Sequence, residues 1–478
     1  MSTYYPECRV NLSVIFDGFG GPESPTVLTD ILPFSANAHL NSYKEADTWE
    51  VVFDAKRFPF SPELVKSMAV EIYLFHKTDQ TATNIWNDPS NLIATGLVDQ
   101  ITLTEDEEGG KVSLSGRDYT SLMIDRQWNP TTSGKAGRVP DGYLQDVIQE
   151  LVDEATLKKI SGRTLTVKIF DDVFNDSKGI TTSNVSKTVT QNKVTIPKTT
   201  KSKSRKARGI AVKADSTYWD VIYKLCLAYG FIVFVKGFEV WITPPHVLQD
   251  IAKTQFHVAY GRNLDKLEVE RKLSKEATPQ IVVRSPNPNP PFKPFEGKFP
   301  SDDDIADLQA GVSEKKGKSK ILFGFTGVGV KKEEFKVFSV PDVKDVKTLI
   351  DIAKATYFTL ARGEGVIRFS TPHLRDLNNT DLLTIRAGDS VAIQWDAFNA
   401  EQMMSKDSTP QTRYNILISL GYSPDVASLV ASNYSRLDYF RQPFYVKEAN
   451  ITWDKSSGCK IDVEAMNFIN PGVKAIGR

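Results

Sequence analysis

This sequence of 478 residues has few cysteines and no excess of either charge. The three cysteines are odd in number and far apart, which argues against a disulfide framework or a zinc site and fits folding in a reducing cytoplasm. Lysine plus arginine and aspartate plus glutamate each total 59, so no overall charge draws the chain to nucleic acid or membrane. No apolar run reaches the length of a membrane span, and the first residues lack a signal-peptide pattern.

Recognisable catalytic and ligand-binding motifs are also lacking. The five histidines show no metal-ligand spacing, and neither a nucleophile elbow nor a phosphate-binding P-loop occurs. The triplet Asp302-Asp303-Asp304 is better explained as a helix start than as a cation site. A carboxylate pair for glycosidic cleavage stays open, because acids are abundant and no pair stands out. We therefore predict a structural and interaction protein, not an enzyme, with no catalytic residue, no metal and no cofactor.

The segment 111–128 carries the most informative local pattern. Residues 97–103 and 111–115 alternate like the two arms of a β-hairpin, joined by a charged turn that ends in two glycines. Residues 120–126 then have the pattern of a short helix, with an aspartate placed to cap it. We predict a structural junction here between a β-domain and the next domain, formed by Gly116, Arg117, Asp118 and Tyr119.

Helical periodicity replaces alternation in the middle of the chain. Residues 141–155 and 216–230 each place apolar side chains on one stripe, and a hairpin pattern follows at 231–242. Between these helices, residues 187–208 hold eight basic residues and no acid. Binding to DNA or an acidic surface is one interpretation; a solvated insertion is the simpler one, because aromatic residues for base stacking are missing. The candidate polyanion or partner contacts are Lys198, Lys201, Lys203, Arg205, Lys206 and Arg208.

The final hairpin pattern, at 444–468, resembles the one at 97–115. Both have alternating arms, a polar turn that ends in glycine and a basic residue that opens the second arm. We predict an α+β, mainly β chain in which two similar antiparallel β-barrel domains flank an α+β middle domain, with inserted helices and loops. The expected boundaries are 1–128 for the first barrel, 129–258 for the middle domain with a basic insertion at 171–213, 259–285 with 364–400 and 444–470 for the second barrel, and 286–363 and 401–443 for insertions with helices.

Four short motifs follow one another along the chain: Gly116-Arg117-Asp118, the helical pair Trp219-Asp220, the run Gly261-Arg262-Asn263-Leu264, and Ile385-Arg386-Ala387-Gly388-Asp389-Ser390-Val391. Together with the order of the elements, they resemble phage tail baseplate hub proteins of the late control protein D family. The related hub part of type VI secretion spike proteins shares this resemblance. The segments 171–213 and 286–340 have no counterpart in that family.

The resemblance implies a structural role in the baseplate of a contractile tail. It implies a homotrimer whose two barrels per chain form a pseudohexameric ring between the hexameric tail tube and the trimeric central spike, in contact with other baseplate proteins. Genomic DNA would pass through the lumen during ejection without sequence-specific binding. The protein would assemble in the host cytoplasm and reside in the virion tail. The resemblance carries over no catalytic residue.

Two alternatives remain at this stage. One is a tail-associated peptidoglycan hydrolase, since hubs are sometimes fused to a lytic domain, although no segment has the pattern of a separate lytic module. The other is a hub of a long flexible tail, or a hub or spike component of a secretion system, which shares the fold.

Overall fold

The structure is a computed structural model. It describes residues 5–16, 25–77, 87–106, 109–128, 142–156, 164–169, 206–207, 215–228, 231–243, 248, 256–259, 262–271, 280–286, 293–299, 301–302, 335–339, 346–361, 365–372, 375–377, 380–394, 409–419, 421, 423–425, 427–428 and 444–467. The described strands form one large sheet and three small ones.

The first part of the chain supplies seven strands of the large sheet. Their side chains alternate between a buried and a more exposed face, so that in β1 Val10, Leu12 and Val14 all point into the core. The strands are β1 (Tyr5–Phe16), β2 (Thr26–Ile31), β3 (Ser35–Asn41), β4 (Thr48–Asp54), β5 (Val65–Lys77), β6 (Leu92–Asp106) and β7 (Gly109–Arg117).

The middle of the chain packs three helices against short strands. The stripe predicted for the second helix is buried throughout, because its apolar residues recur at helical spacing. β12 pairs with β11 in a hairpin and, in parallel, with β9. The elements are α1 (Thr120–Asp125), β8 (Gly142–Tyr143), α2 (Leu144–Ala155), β9 (Thr166–Ile169), β10 (Lys206–Ala207), α3 (Tyr218–Ala228), β11 (Ile232–Lys236) and β12 (Glu239–Thr243).

A separate three-stranded sheet extends this middle core. It consists of β15 (Gln280–Ser285), β16 (Phe295–Phe299) and β17 (Phe335–Ser339), and the helix α4 (Val346–Ala361) packs on it. Gly297 permits the contact, because a Cβ there would lie 2.3 Å from the α4 backbone. Residues of this sheet and of α4 share one hydrophobic core with α2 and α3.

The last strands join the first seven in a sheet of thirteen. They are β13 (Phe256–Ala259), β14 (Lys266–Arg271), β18 (Gly365–Thr371), β19 (Ser390–Gln394), β20 (Phe444–Asp454) and β21 (Gly458–Asn467). The strand order is β14-β18-β21-β20-β3-β4-β7-β6-β5-β1-β2, with β19 pairing β20 and β13. The helix α5 (Pro410–Ser419) lies between β19 and β20 in sequence. One second hydrophobic core serves both ends of the chain.

The predicted fold class is confirmed: the chain is α+β and mainly β, with a large antiparallel sheet. All three predicted hairpins are present, as β6–β7, β11–β12 and β20–β21. The helix expected at 141–155 begins at Leu144, and residue 141 lies outside the described residues. The sequence patterns did not reveal β2, β3, β16, β17 or α5. The division into domains stays a prediction.

Candidate functional site

Two groups of four strands in the large sheet have the same spatial order and the same chain order. The first unit is β3-β4-β7-β6, and the second unit is β14-β18-β21-β20. Every neighbouring pair within the two units is antiparallel. In each unit the two strands that come last in the chain form a hairpin. The chain therefore holds one four-stranded arrangement twice.

The two hairpins also match in their irregularities. The first arm of each carries a β-bulge, at Asp99 in β6 and at Lys447 in β20. Seven residue pairs follow the bulge in both hairpins, up to the turns after Asp106 and Asp454. A shared bulge at the same distance from the turn is a stronger likeness than alternation alone, because it fixes one register for both hairpins.

The two units are joined edge to edge. β20 of the second unit pairs with β3 of the first, from Glu448 opposite Asn41 to Asp454 opposite Ser35. The backbone hydrogen bonds therefore run without a break through eight strands. This joint is the feature on which the functional argument depends.

Alternation gives the joined units one apolar and one polar face. In β7, Val112 and Leu114 are buried, whereas Ser113 lies on the other face and its Oγ donates to Glu50 Oε1 at 2.7 Å. On the polar face, the described acidic residues outnumber the basic ones. The acids are Glu50, Asp54, Glu268, Glu270, Glu448, Asp454, Asp462 and Glu464, and the bases are Lys111, Arg117, Lys266, Arg368 and Lys460.

Arg368 connects three strands of the second unit on this face. Its Nε donates to Glu464 Oε2 at 2.8 Å, and its Nη1 donates to Glu268 Oε1 and Glu270 Oε2, each at 3.0 Å. The hydrogen bond to Glu464 and those to the other two carboxylates raise the pKa of the guanidinium. One cation thus holds β14, β18 and β21 together.

The bulge residues are both charged, and each is paired with the second arm of its hairpin. Lys447 lies between Glu448, at 2.8 Å, and Glu464, two carboxylates that face each other across the ladder. Burial lowers the pKa of Lys447, but hydrogen bonds to the two glutamates outweigh it and leave the pKa raised. In the first hairpin the charges are reversed, since Asp99 accepts from Arg117 at 2.6 Å.

Gly116 and Arg117, at the predicted junction, connect β7 to its neighbours. A Cβ on Gly116 would lie 2.0 Å from the carbonyl oxygen of Leu97, so no other residue fits this close approach of strands. Arg117 donates to Asp99 and also, through Nη2, to Asp125 Oδ2 at 2.9 Å. It therefore links the bulge of β6 to the end of α1.

Asp118 and Tyr119 carry the junction into the middle core. Asp118 is buried, and its carboxylate accepts from the backbone N and Oγ1 of Thr120, in the first turn of α1, at 3.1 and 2.8 Å. Burial raises the pKa of this carboxyl. Tyr119 is buried too, and its ring lies 5.6 Å from that of Phe238 in the β11–β12 turn. The architectural role of the four residues stays a proposal.

The Trp-Asp pair of α3 contacts the first unit. Trp219 Nε1 donates to the carbonyl oxygen of Lys44 at 2.5 Å, and Asp220 Oδ1 accepts from Lys44 Nζ at 2.6 Å. A similar bond reaches the residue before β19, where Lys236 Nζ donates to Asp389 Oδ1 at 2.5 Å; the carbonyl oxygen of Asp389 in turn accepts from the backbone N of Val446 in β20 of the second unit. The middle region is thereby attached to both units by side chains that belong to the sequence motifs or contact them.

The candidate polyanion contacts fall almost entirely outside the described residues. Only Lys206 is described, as part of the two-residue strand β10 that pairs with β8. The other five residues lie outside the described part of the chain, and their role stays a prediction. They are Lys198, Lys201, Lys203, Arg205 and Arg208.

The described residues contain no group of three or more histidine, cysteine, aspartate or glutamate side chains placed to hold a metal ion. Among the same residues, no helix combines the length and the apolar character needed to cross a bilayer. All three cysteines are buried free thiols.

Sequence reasoning found the hairpins but missed the joint between the units. β3 has the sequence Ser-Ala-Asn-Ala-His-Leu-Asn, whose small and polar residues have weak strand preference. A weak alternation of Ala36, Ala38 and Leu40 was the one available signal, since these three residues are buried.

Comparisons with known proteins give the fold a context. No family model and no curated protein matches the chain. Among solved structures, it is similar to the tail protein from Neisseria meningitidis MC58, with a TM-score of 0.50 and 10% identity over 97% of this chain and 98% of that one. The 43 kDa tail protein of prophage MuSo2 from Shewanella oneidensis gives a TM-score of 0.48 and 9% identity over 98% of both chains. A component of the Escherichia coli type VI secretion system gives 0.40 and 6%, over 95% and 76%. The structural neighbours are thus phage tail proteins and secretion hub or spike proteins, and the chain has the fold of the Neisseria tail protein over nearly its whole length.

Proposed function

We propose that this chain is the structural baseplate hub of a phage tail. In this proposal a homotrimer joins the hexameric tail tube to the trimeric central spike and forms part of the channel for DNA ejection. The observation that carries it is the four-stranded unit that occurs twice in one chain and is joined edge to edge. Three copies would present six similar units, which matches a sixfold partner on one side and a threefold partner on the other.

The polar face suits the wall of a channel for DNA. Its acids outnumber its bases, and cations such as Arg368 and Lys447 are engaged with neighbouring carboxylates. Strong DNA binding needs an excess of lysine and arginine that neutralises phosphates. A face without such an excess would let a polyanion pass and would not retain it. Passage without sequence-specific binding is therefore the mode that we propose.

Several features of the junction support a rigid adaptor. Gly116, Arg117, Asp118 and Tyr119 tie the first unit to the middle core, and Lys236 ties the same core to the second unit. A chain built in this way resists relative movement of its parts. We propose that these residues are architectural and that the protein is not an enzyme.

The proposal is tested by the mass of the purified full-length chain in solution. Light scattering is measured on the chain alone and after mixing with the central spike protein of the same tail. We expect three chain masses, at least in the presence of the spike. A chain that stays monomeric or dimeric and does not bind the spike would refute the hub assignment.

A wall-digestion assay separates this function from the hydrolase alternative. Purified chain is incubated with peptidoglycan, and released sugar and peptide fragments are measured. We expect no release above that of a heat-denatured sample. Release that depends on the folded chain would replace the hub proposal with an enzymatic one.

A further inference from the structure

The strand β20 has two neighbours on its outer edge, one on each side of its bulge. Before the bulge, Phe444 and Tyr445 pair with Val391 and Ser390 of β19. After the bulge, residues 448–454 pair with β3 of the first unit. The outer edge of β20 is therefore occupied along its length.

The equivalent strand β6 repeats only the first half of this arrangement. Before its bulge, Gly96 and Leu97 pair with Val70 and Ala69 of β5, as the equivalent residues of β20 pair with β19. After the bulge, residues 100–106 pair with β7 on one side. On the other side of that segment, no strand lies within the described part of the chain. The place that β3 takes beside β20 is open beside β6.

The strand that corresponds to β3 in the second unit is β14, at the far end of the eight strands. The match is residue by residue: Ala36 lies opposite Val51 of β4, and the equivalent Leu267 lies opposite Phe369 of β18. β14 pairs with β18 on one side, and its other side meets no strand among the described residues. β14 and β6 stand at opposite ends of these eight strands and do not pair with each other in the described chain.

We infer that β6 of one copy pairs with β14 of a second copy, in the register that β20 and β3 show within the chain. Transferring that register through the equivalent residues places Leu103 opposite Val269 and Glu105 opposite Leu267. The strands run antiparallel, as β20 and β3 do. This inference rests on the proposed ring of copies and specifies which edges close it.

The exposure of apolar side chains on β6 and β14 also supports pairing with a second copy. Leu103 is 59% exposed, whereas its equivalent in the paired strand, Ile451, is fully buried. Val269 is half-buried, whereas its equivalent Ala38 is fully buried. A second copy would cover both apolar side chains with each other. It would also satisfy an open sheet edge, which proteins otherwise protect against uncontrolled pairing.

Disulfide trapping tests the register. The full-length double variant Leu103→Cys/Val269→Cys is oxidised with copper phenanthroline and run on a non-reducing gel. The matched control is Leu103→Cys/Leu267→Cys, whose cysteines lie on the same face but two residues out of register, at about 7–8 Å. The natural cysteines give little background, because all three are buried.

The expected result is a covalent trimer as the main species for the first variant and uncrosslinked chain for the control. Light scattering on both variants identifies the assembly present before oxidation. Trimers in which neither pair crosslinks, or in which the control pair does, would overturn this register and leave the hub proposal standing. Single chains in both variants, with or without the spike, would overturn both.

The variant Leu103→Lys gives an independent result that requires no crosslink. A lysine at this exposed position leaves the fold of one chain intact but places a charge against Val269 of the second copy. We expect the solution mass to fall from three chains to one, with the urea midpoint that the unsubstituted chain shows at concentrations low enough to keep it monomeric. A stable trimer of Leu103→Lys would contradict the inference.

Discussion

The first and second units have the same strand order, register and bulge. They differ at the equivalent strands β20 and β6, because another strand of the same chain covers only the edge of β20 beyond the bulge. β20 is covered by β3, whereas the matching half of β6 meets no strand within the described chain. On our inference, the contact made once inside the chain is the pattern for the contact between two copies.

The two units also differ at matched positions near the junction. Gly116 in the first unit corresponds to Ala465 in the second, and Asp118 corresponds to Asn467. The first unit leads directly into α1, and both residues suit this connection. Gly116 allows the close approach of Leu97, and Asp118 accepts a hydrogen bond from the first turn of the helix. The equivalent positions therefore have the same place in the strand pairing, but their side chains have different roles.

Truncating the matched apolar residues beyond the bulge gives the largest expected contrast. Ile451→Ala removes a fully buried side chain and is expected to cost about 2–5 kcal/mol in the free energy of unfolding. Leu103→Ala, at the matching exposed position, is expected to change the stability of a single chain by less than about 0.5 kcal/mol. Urea unfolding at low protein concentration measures both; equal costs would show that the two edges are not in different environments.

Substitutions at Gly116 and at the matched Ala465 give the next largest contrast in the free energy of unfolding. Gly116→Ala forces a Cβ against the carbonyl of Leu97 and is expected to destabilise by about 3 kcal/mol. Ala465→Gly, at the matched position, is expected to cost only about 1 kcal/mol, since it mainly adds backbone freedom. The urea midpoints of the two variants provide the comparison, and a tolerated Gly116→Ala would show that β6 and β7 are not held this close.

The bulge ion pairs give a smaller contrast. Lys447→Met leaves Glu448 and Glu464 facing each other, and we expect a loss of about 1.5–3 kcal/mol because all three side chains are largely buried. Arg117→Met removes more exposed pairs with Asp99 and Asp125 and is expected to cost below about 1 kcal/mol. Unfolding at low and high salt checks the assignment: the Lys447 effect should persist in salt, and a reversed order of the two losses would contradict it.

The junction also predicts a pH dependence of stability. Burial raises the pKa of Asp118 to about 7 in the folded chain, so the folded state holds a proton that the unfolded state has released. The stabilisation is complete below the ordinary aspartate pKa and is lost as the pH rises through about 7. Asp118→Asn copies the second unit, keeps an acceptor for the backbone N of Thr120 and should reduce the slope of the stability curve between pH 5 and 8; the buried Asp47, whose pKa is also raised by burial and by Asp118, contributes the rest. Asp118→Ala serves as the control, since it reduces the slope too but also loses about 1 kcal/mol of capping. An unchanged slope in Asp118→Asn would assign the titration to another group.

Much of the local structure follows from the sequence, because its signals are local. Period-two alternation with a glycine turn predicted the β6–β7 and β20–β21 hairpins, and an apolar stripe predicted α2 and α3. Asp118, predicted as the cap of the short helix, does accept from the backbone N of Thr120 in its first turn, but the N-cap position itself is Tyr119. What the sequence does not show is pairing between distant segments.

The joint between the units is the clearest example of such distant pairing. Ser42 donates to the carbonyl oxygen of Lys447, 405 residues away, and no local pattern specifies that contact. β3 itself is hidden by its alanines and asparagines, and it becomes a strand because β4 and β20 supply both of its neighbours. β17 is likewise brought to β15 from a separate part of the chain, in a parallel pair. Tertiary pairing, not strand preference, decides these elements.

Hydrogen exchange across the two matched segments tests the central claim most directly. In residues 100–106 of β6, alternate backbone amides point to β7 and the remainder point to the open edge. In the assembled protein, the account predicts that these outward amides are as protected as their counterparts in residues 448–454 of β20. Leu103→Lys should remove the protection in β6 and at the outer edge of β14, but not in β20. Fast exchange of the outward β6 amides in a protein that is demonstrably assembled would contradict the account.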